Sequence, residues 1–175
     1  MANYNDHLNQ AVKNIQVLYK INNGIVNSWD WQVTVAFYSA LHLANAHIAK
    51  TINGHYRTHA KVGQALNPYS PINPSSFNEE AYLSYLALQG LSRRARYLCN
   101  DKETIDGNGN QEEIVHFTSD KHLAKAIRHL NNILKHFSQI YNYSFSSNSI
   151  NCPRIINDRL EYFGHNKILP VSEVK

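Results

Sequence analysis

Ten histidines, seven arginines and eleven tyrosines, against two cysteines, make proton exchange and anion binding the chemistry most available to this 175-residue chain. A metal centre is the first possibility that so many imidazoles raise. His122, His129 and His136 recur every seven residues. Seven helical residues advance about 10.5 Å, whereas ligand nitrogens lie about 2 Å from a shared ion. These three form a stripe along a helix and not a metal site. His55 and His59 stand four apart, a spacing that suits a shared ion only if the stretch is helical, and no glutamate of an H-E-x-x-H motif separates them. We expect no metal and no cofactor. Nucleophilic catalysis has no footing either, because no G-x-S-x-G elbow occurs. The glycines of DGNGN (106–110) follow no apolar strand and lack a Walker lysine.

The densest polar constellation is YLALQGLSRRARY, Tyr85 to Tyr97. On a helix, Tyr85, Gln89, Ser92, Arg93 and Arg96 make one ridge beside an apolar ridge of Leu88, Leu91 and Ala95. Arginines on such a ridge seek carboxylates, carbonyls or phosphates. Two roles follow: tying this helix to a neighbour or to the acidic loop after it, or holding an anion or nucleotide.

Helices must position these groups. Leu8, Val12, Ile15, Leu18 and Tyr19 recur at three- and four-residue spacing, which predicts a first helix over 5–22, stopped by Asn23-Gly24. A second helix over 27/28–51, capped by Asn27 or Ser28, is apolar on most sides and is thinned by Ala36, Ser39, Ala40, Ala44 and Ala46. Such a helix belongs at the centre of a core. A connector follows, with room for a short helix over 58–66 before prolines 68, 71 and 74 impose an extended path. Ser76 and Glu79 have capping-box spacing for a third long helix to about 100. A fourth opens near Ser119 and buries Leu123, Ile127, Leu130, Leu134, Phe137 and Tyr141. The pattern predicts an all-α antiparallel up-and-down four-helix bundle over 1–142, with an irregular C-terminal tail over 143–175 that docks on it or stays partly disordered.

Composition agrees with one globular domain: 43% hydrophobic and 17% charged. No basic n-region with an apolar stretch opens the chain, and no run approaches the roughly 20 apolar residues of a membrane span. A cytoplasmic protein with reduced Cys99 and Cys152, and without a membrane partner, is the expectation. The net charge of +4 is unevenly placed: residues 101–120 hold six acids and one cation, leaving 16 cations against seven acids elsewhere. That excess suits either a solvated surface or a polyanionic partner. The apolar breadth of the second helix also suggests a homodimer.

DWQVTVAFYSALHLANA (Asp30 to Ala46) resembles the second helix of small HEPN-like bundle proteins of prokaryotes. Y-x-x-L-x-x-x-S-R-x-A-R-Y (Tyr85 to Tyr97) resembles the segment on their next long helix, and His59 stands where such proteins often place a histidine after the loop. The resemblance spans roughly residues 5–141. It implies a four-helix bundle, often dimeric, that binds RNA or a nucleotide. It further implies either a metal-independent ribonuclease of toxin–antitoxin or phage-defence type, or an inactive partner of a nucleotidyltransferase or antitoxin. The site would comprise Tyr38, His42, His59, Tyr85, Arg93 and Arg96, with His42 or His59 exchanging protons. The R-x4–6-H motif of catalytic members is matched only by Arg159 to His165, in the tail, and Arg128 to His136 is too long for it. The alternative is a non-catalytic dimerisation or protein-interaction module in which the same residues form a buried polar network.

Overall fold

A computed structural model describes residues 2–98, 104–105, 111–112 and 117–165. Helix α1 (Tyr4–Gly24) opens with a reciprocal cap: Asp6 N–H donates to Asn3 Oδ1 at 3.0 Å and Asn3 N–H to Asp6 Oδ2 at 2.9 Å. It buries Leu8, Ala11, Ile15 and Leu18, with His7 and Asn22 on the same stripe. Helix α2 (Trp29–Ile52) is capped at Ser28, not Asn27, whose φ of 60° lies in the left-handed turn before it. Ser28 Oγ donates to Ile25 O and accepts from Gln32 Nε2, both at 3.0 Å, so it closes the turn instead of capping a backbone N–H. Asn53, at φ 50°, ends α2.

The short α3 (His59–Leu66) is capped by Thr58. Helix α4 (Glu79–Tyr97) starts from Asn78, whose Oδ1 accepts from Ala81 N–H at 2.9 Å. The expected Ser76–Glu79 box does not form, because Glu79 instead accepts from the Tyr69 hydroxyl at 2.6 Å. Helix α5 (Asp120–Tyr141) begins at Ser119, which exchanges bonds with His122.

Two strand pairs complete the described structure. Within the acidic segment, β1 (Thr104–Ile105) pairs antiparallel with β2 (Gln111–Glu112), where only an irregular loop was expected. In the tail, β3 (Asn148–Ile150) runs parallel to β4 (Phe163–His165). The rest of the acidic segment up to 116, with Cys99 and residues 166–175, lies outside the described residues.

The chain is thus mostly helical, an all-α fold, and no described helix is long and apolar enough to cross a membrane. Helix α2 sits at its centre, against α1, α3, α4 and α5. Its Val33, Ala36, Phe37, Ala40, Leu43, Ala44, Ala46 and Ile48 are all fully buried. Ser39 turns its hydroxyl back to Val35 O at 2.9 Å, so it adds no unpaired polar group to that packing. Most of the α2 apolar surface that suggested a homodimer is therefore covered within the chain, leaving Trp31 in its first turn and Ile52 at its end exposed. Other exposed apolar residues include Ile25 and Val26 in the turn before α2 and Leu83 and Leu86 on α4.

Residues 143–165 dock. Phe145, Ile150, Cys152, Ile155, Tyr162 and Phe163 join the same core. Buried amides fix the register. Asn22 of α1 accepts from Asn151 N–H at 2.6 Å and donates to Gln32 Oε1 of α2 at 2.8 Å. Asn131 of α5 accepts from Tyr162 N–H at 3.0 Å. The ion pairs Arg128–Asp158 and Arg154–Asp120 are partly exposed and contribute little by comparison.

A further buried polar group joins α2, α5 and the 67–78 connector. The His47 and His136 rings meet Phe77 edge-on, with centroids 5.0 and 4.8 Å away, and His47 Nδ1 lies 2.8 Å from the Tyr141 hydroxyl. His136 Nε2 is buried without a partner. Burial, and secondarily the neighbouring His47, push the His136 imidazole down to about 4. An unfolded His136 ionises near 6.5, so its contribution to stability is complete above that pH and is lost as pH falls towards 4. The difference corresponds to about 3 kcal/mol. Urea unfolding of His136→Leu should therefore show a shallower loss of stability between pH 6.5 and 4 than wild type. An equally steep loss in the variant would place the acid sensitivity elsewhere.

Candidate functional site

The connector between α2 and α3 lies along one ridge of α2. Tyr38 and His42, four residues apart, are neighbours on that ridge. His59, the first residue of α3, sits edge-on to Phe37 (centroids 5.0 Å, 79°) and to Tyr38 (6.4 Å, 76°). His55 reaches α1 instead, with its Nδ1 3.0 Å from His7 Nε2. The two connector histidines therefore diverge: only residues from His59 onward are helical, so the i,i+4 pairing needed for a shared ion does not arise.

Arg96, in the last turn of α4, lies close enough to act on His59. Its Nε donates to Ser92 O at 3.3 Å, and its guanidinium lies 5.2 Å from the centroid of the Tyr97 ring. No carboxylate pairs with it among the described residues. His59 is held below the ordinary histidine range by burial and then by the Arg96 cation. The result is a neutral, half-buried imidazole beside a permanent positive charge, framed by aromatic edges.

The sequence-derived residues separate as follows. His59 lies edge-on to Tyr38 and within electrostatic reach of Arg96. His42 bonds towards α1: its Nδ1 lies 3.1 Å from His7 Nδ1, and burial followed by the charge of His55 lowers its pKa. Arg93 is exposed one turn before Tyr97. Tyr85 is fully buried, packed on Phe37 with centroids 5.9 Å apart, and its hydroxyl has no partner. Burial raises the ionisation of that hydroxyl far above the ordinary tyrosine value. A ring so placed packs the core beneath His59 and offers no face to a base.

The three histidines of α5 also take separate partners. His122 caps its own helix and lies 3.4 Å from Arg94 Nη1, His129 bonds Ser84 Oγ at 3.3 Å, and His136 is in the core. Among the described residues no group of three His, Cys, Asp or Glu side chains could hold a metal ion. Arg159 is exposed, and His165, at the end of β4, has a buried Nδ1 without a partner.

His7 is the residue that sequence reasoning missed. Its signal was legible: with Tyr4, Ala11, Ile15 and Leu18 it follows the apolar spacing of α1, and a histidine on such a stripe needs a polar partner inside.

No protein-family model, no curated protein and no solved structure matches the chain.

Two outcomes check this geometry. Arg96→Gln should raise the His59 pKa, read by imidazole NMR, while leaving it below the ordinary value because burial is the larger cause. An unchanged His59 titration would separate the two residues. Tyr85→Phe removes an unpartnered buried hydroxyl and keeps the ring, so stability should hold or rise by about 1 kcal/mol. A loss would mean that the hydroxyl has a partner.

Proposed function

We propose that this chain is a HEPN-like four-helix bundle that binds single-stranded RNA or a nucleotide, without metal, on the face where α2, the 53–58 connector and the end of α4 meet. The observation that carries this reading is the juxtaposition of His59 and Arg96 beside Tyr38. A guanidinium with no carboxylate partner among the described residues attracts a phosphate, which it can hold with paired N–H donors. A phosphate seated there offsets the charge that depresses His59, so the imidazole gains the ability to hold a proton as the ligand arrives. The half-buried Tyr38 supplies an aromatic surface for a base. Outside residues 101–120 the cationic excess of the chain favours polyanion association at longer range.

A second reading, a dimerisation or protein-interaction module, is favoured by the exposed run at Ile25, Val26 and Trp31, which are 58%, 87% and 64% accessible. Fluorescence anisotropy with a short mixed-sequence RNA in EDTA separates the two. The nucleic-acid reading expects affinity that falls steeply with added salt and drops about tenfold or more in Arg96→Ala. RNA-independent dimer formation by sedimentation, with no RNA binding at low salt, would favour the interaction module. Cleavage of that RNA by wild type and not by His59→Ala would extend the activity from binding to hydrolysis.

A further inference from the structure

We propose that His7, His42 and His55 form a proton-operated clamp that fastens the 53–58 connector to α1 and releases it when the chain of imidazoles takes a second proton. His7 stands in the middle, and each of its ring nitrogens serves one neighbour: Nδ1 meets His42 Nδ1 at 3.1 Å and Nε2 meets His55 Nδ1 at 3.0 Å. The His7 and His55 rings lie nearly parallel (12°) with centroids 5.0 Å apart. His7 is 4% exposed, whereas His42 and His55 are half-buried, so the outer rings exchange protons with solvent more readily than the middle one.

Proton counting defines the switch. A neutral imidazole has one N–H and one acceptor nitrogen, and an imidazolium has two N–H groups and none. With all three rings neutral, both links form, each pointing the same way along the chain. One added proton also leaves both links intact, because His7 can then donate to both neighbours, or either end ring can donate inward. A second proton cannot be accommodated. Protons on both ends ask His7 to accept twice while it still carries an N–H, and protons on adjacent rings set two donors face to face. One link must break, at the same time as two cations face each other.

The His7–His55 link is the one that matters mechanically. Among the described residues it is the only hydrogen bond that residues 54–57 make. Tyr56 adds apolar contact with the core, while Arg57 is exposed. The charged groups acting on His7 are Asp6 from α1, which favours its cation, and His42 of α2 and His55 of the connector, which oppose it. Burial is the largest influence and also opposes the cation. The clamp is therefore closed at neutral pH. Its opening loosens the segment that delivers His59 to Tyr38, although the clamp itself requires no ligand and does not depend on the RNA reading.

Ligand-free protein tests it. Imidazole NMR should show the His7 ring, the middle of the chain, responding to more than one protonation step of the cluster. A His7 ring that follows a single independent titration would overturn the clamp. Among the described residues the amides of 54–58 donate no hydrogen bond of their own, so the readout is their backbone order, measured by NMR relaxation, which should fall across the second protonation step. In His55→Ala that order should already be low at neutral pH and show no step. Wild-type order without a step, or wild-type order retained in His55→Ala, would equally overturn the clamp.

Discussion

The burial of α2 is the constraint on which the rest of the molecule depends. A helix apolar on nearly every side must be covered on nearly every side, and here four other helices do so. Each fully buried Val, Leu, Ile or Phe contributes roughly 1.5–3 kcal/mol, and α2 buries Val33, Phe37, Leu43 and Ile48 completely. The alanines between them let the neighbouring backbones approach without filling the space with side chain. The same demand brings α1 against one side of α2 and α4 and α5 against the others, and leaves the connector to cross the remaining ridge. Everything polar on that ridge is then trapped between α2 and whatever covers it.

That trapping explains why the imidazoles fall into separate groups. Where α5 and Phe77 of the 67–78 connector close over the rings, as at His47 and His136, the setting is apolar and burial holds them neutral. Where α1 and the 53–58 connector meet α2, His42 and His55 keep some exposure and bond the buried His7 between them. At the open end, beside α4, the cover thins and Arg96 takes part. One helix therefore passes from dry core to a polar groove along its own length, and the ordinary chemistry of histidine changes with position.

Much of this was legible in the sequence. Apolar periodicity marks every helix, and the alanine-rich centre marks α2 as the middle of the core, because both signals record burial directly. Helix caps were less legible: of the expected Asn27 and Ser28 it is Ser28 that takes the N-cap of α2, and Asn78, two residues past Ser76, takes that of α4, once the turns before these helices are set by Ile25 and Tyr69 contacts. The tail was legible only as apolar residues without a period; its place depends on single amides, Asn22 and Asn131, whose partners lie more than 30 residues away. Of the six candidate residues Tyr38, His42, His59, Tyr85, Arg93 and Arg96, helical spacing could not tell that Tyr85, on the same ridge as Arg93 and Arg96, faces inward. Nor could it pair His42 with His7, a contact between two helices that no local pattern encodes.

The electrostatic pairing of His59 with Arg96 makes the central functional claim measurable in one experiment. Imidazole NMR follows the His59 titration without ligand and with a saturating short RNA, at low salt and in EDTA. Phosphate on Arg96 should raise the His59 pKa above its ligand-free value, since it offsets the cation that depresses it. An RNA that saturates the protein while the His59 titration stays where it was would contradict the account.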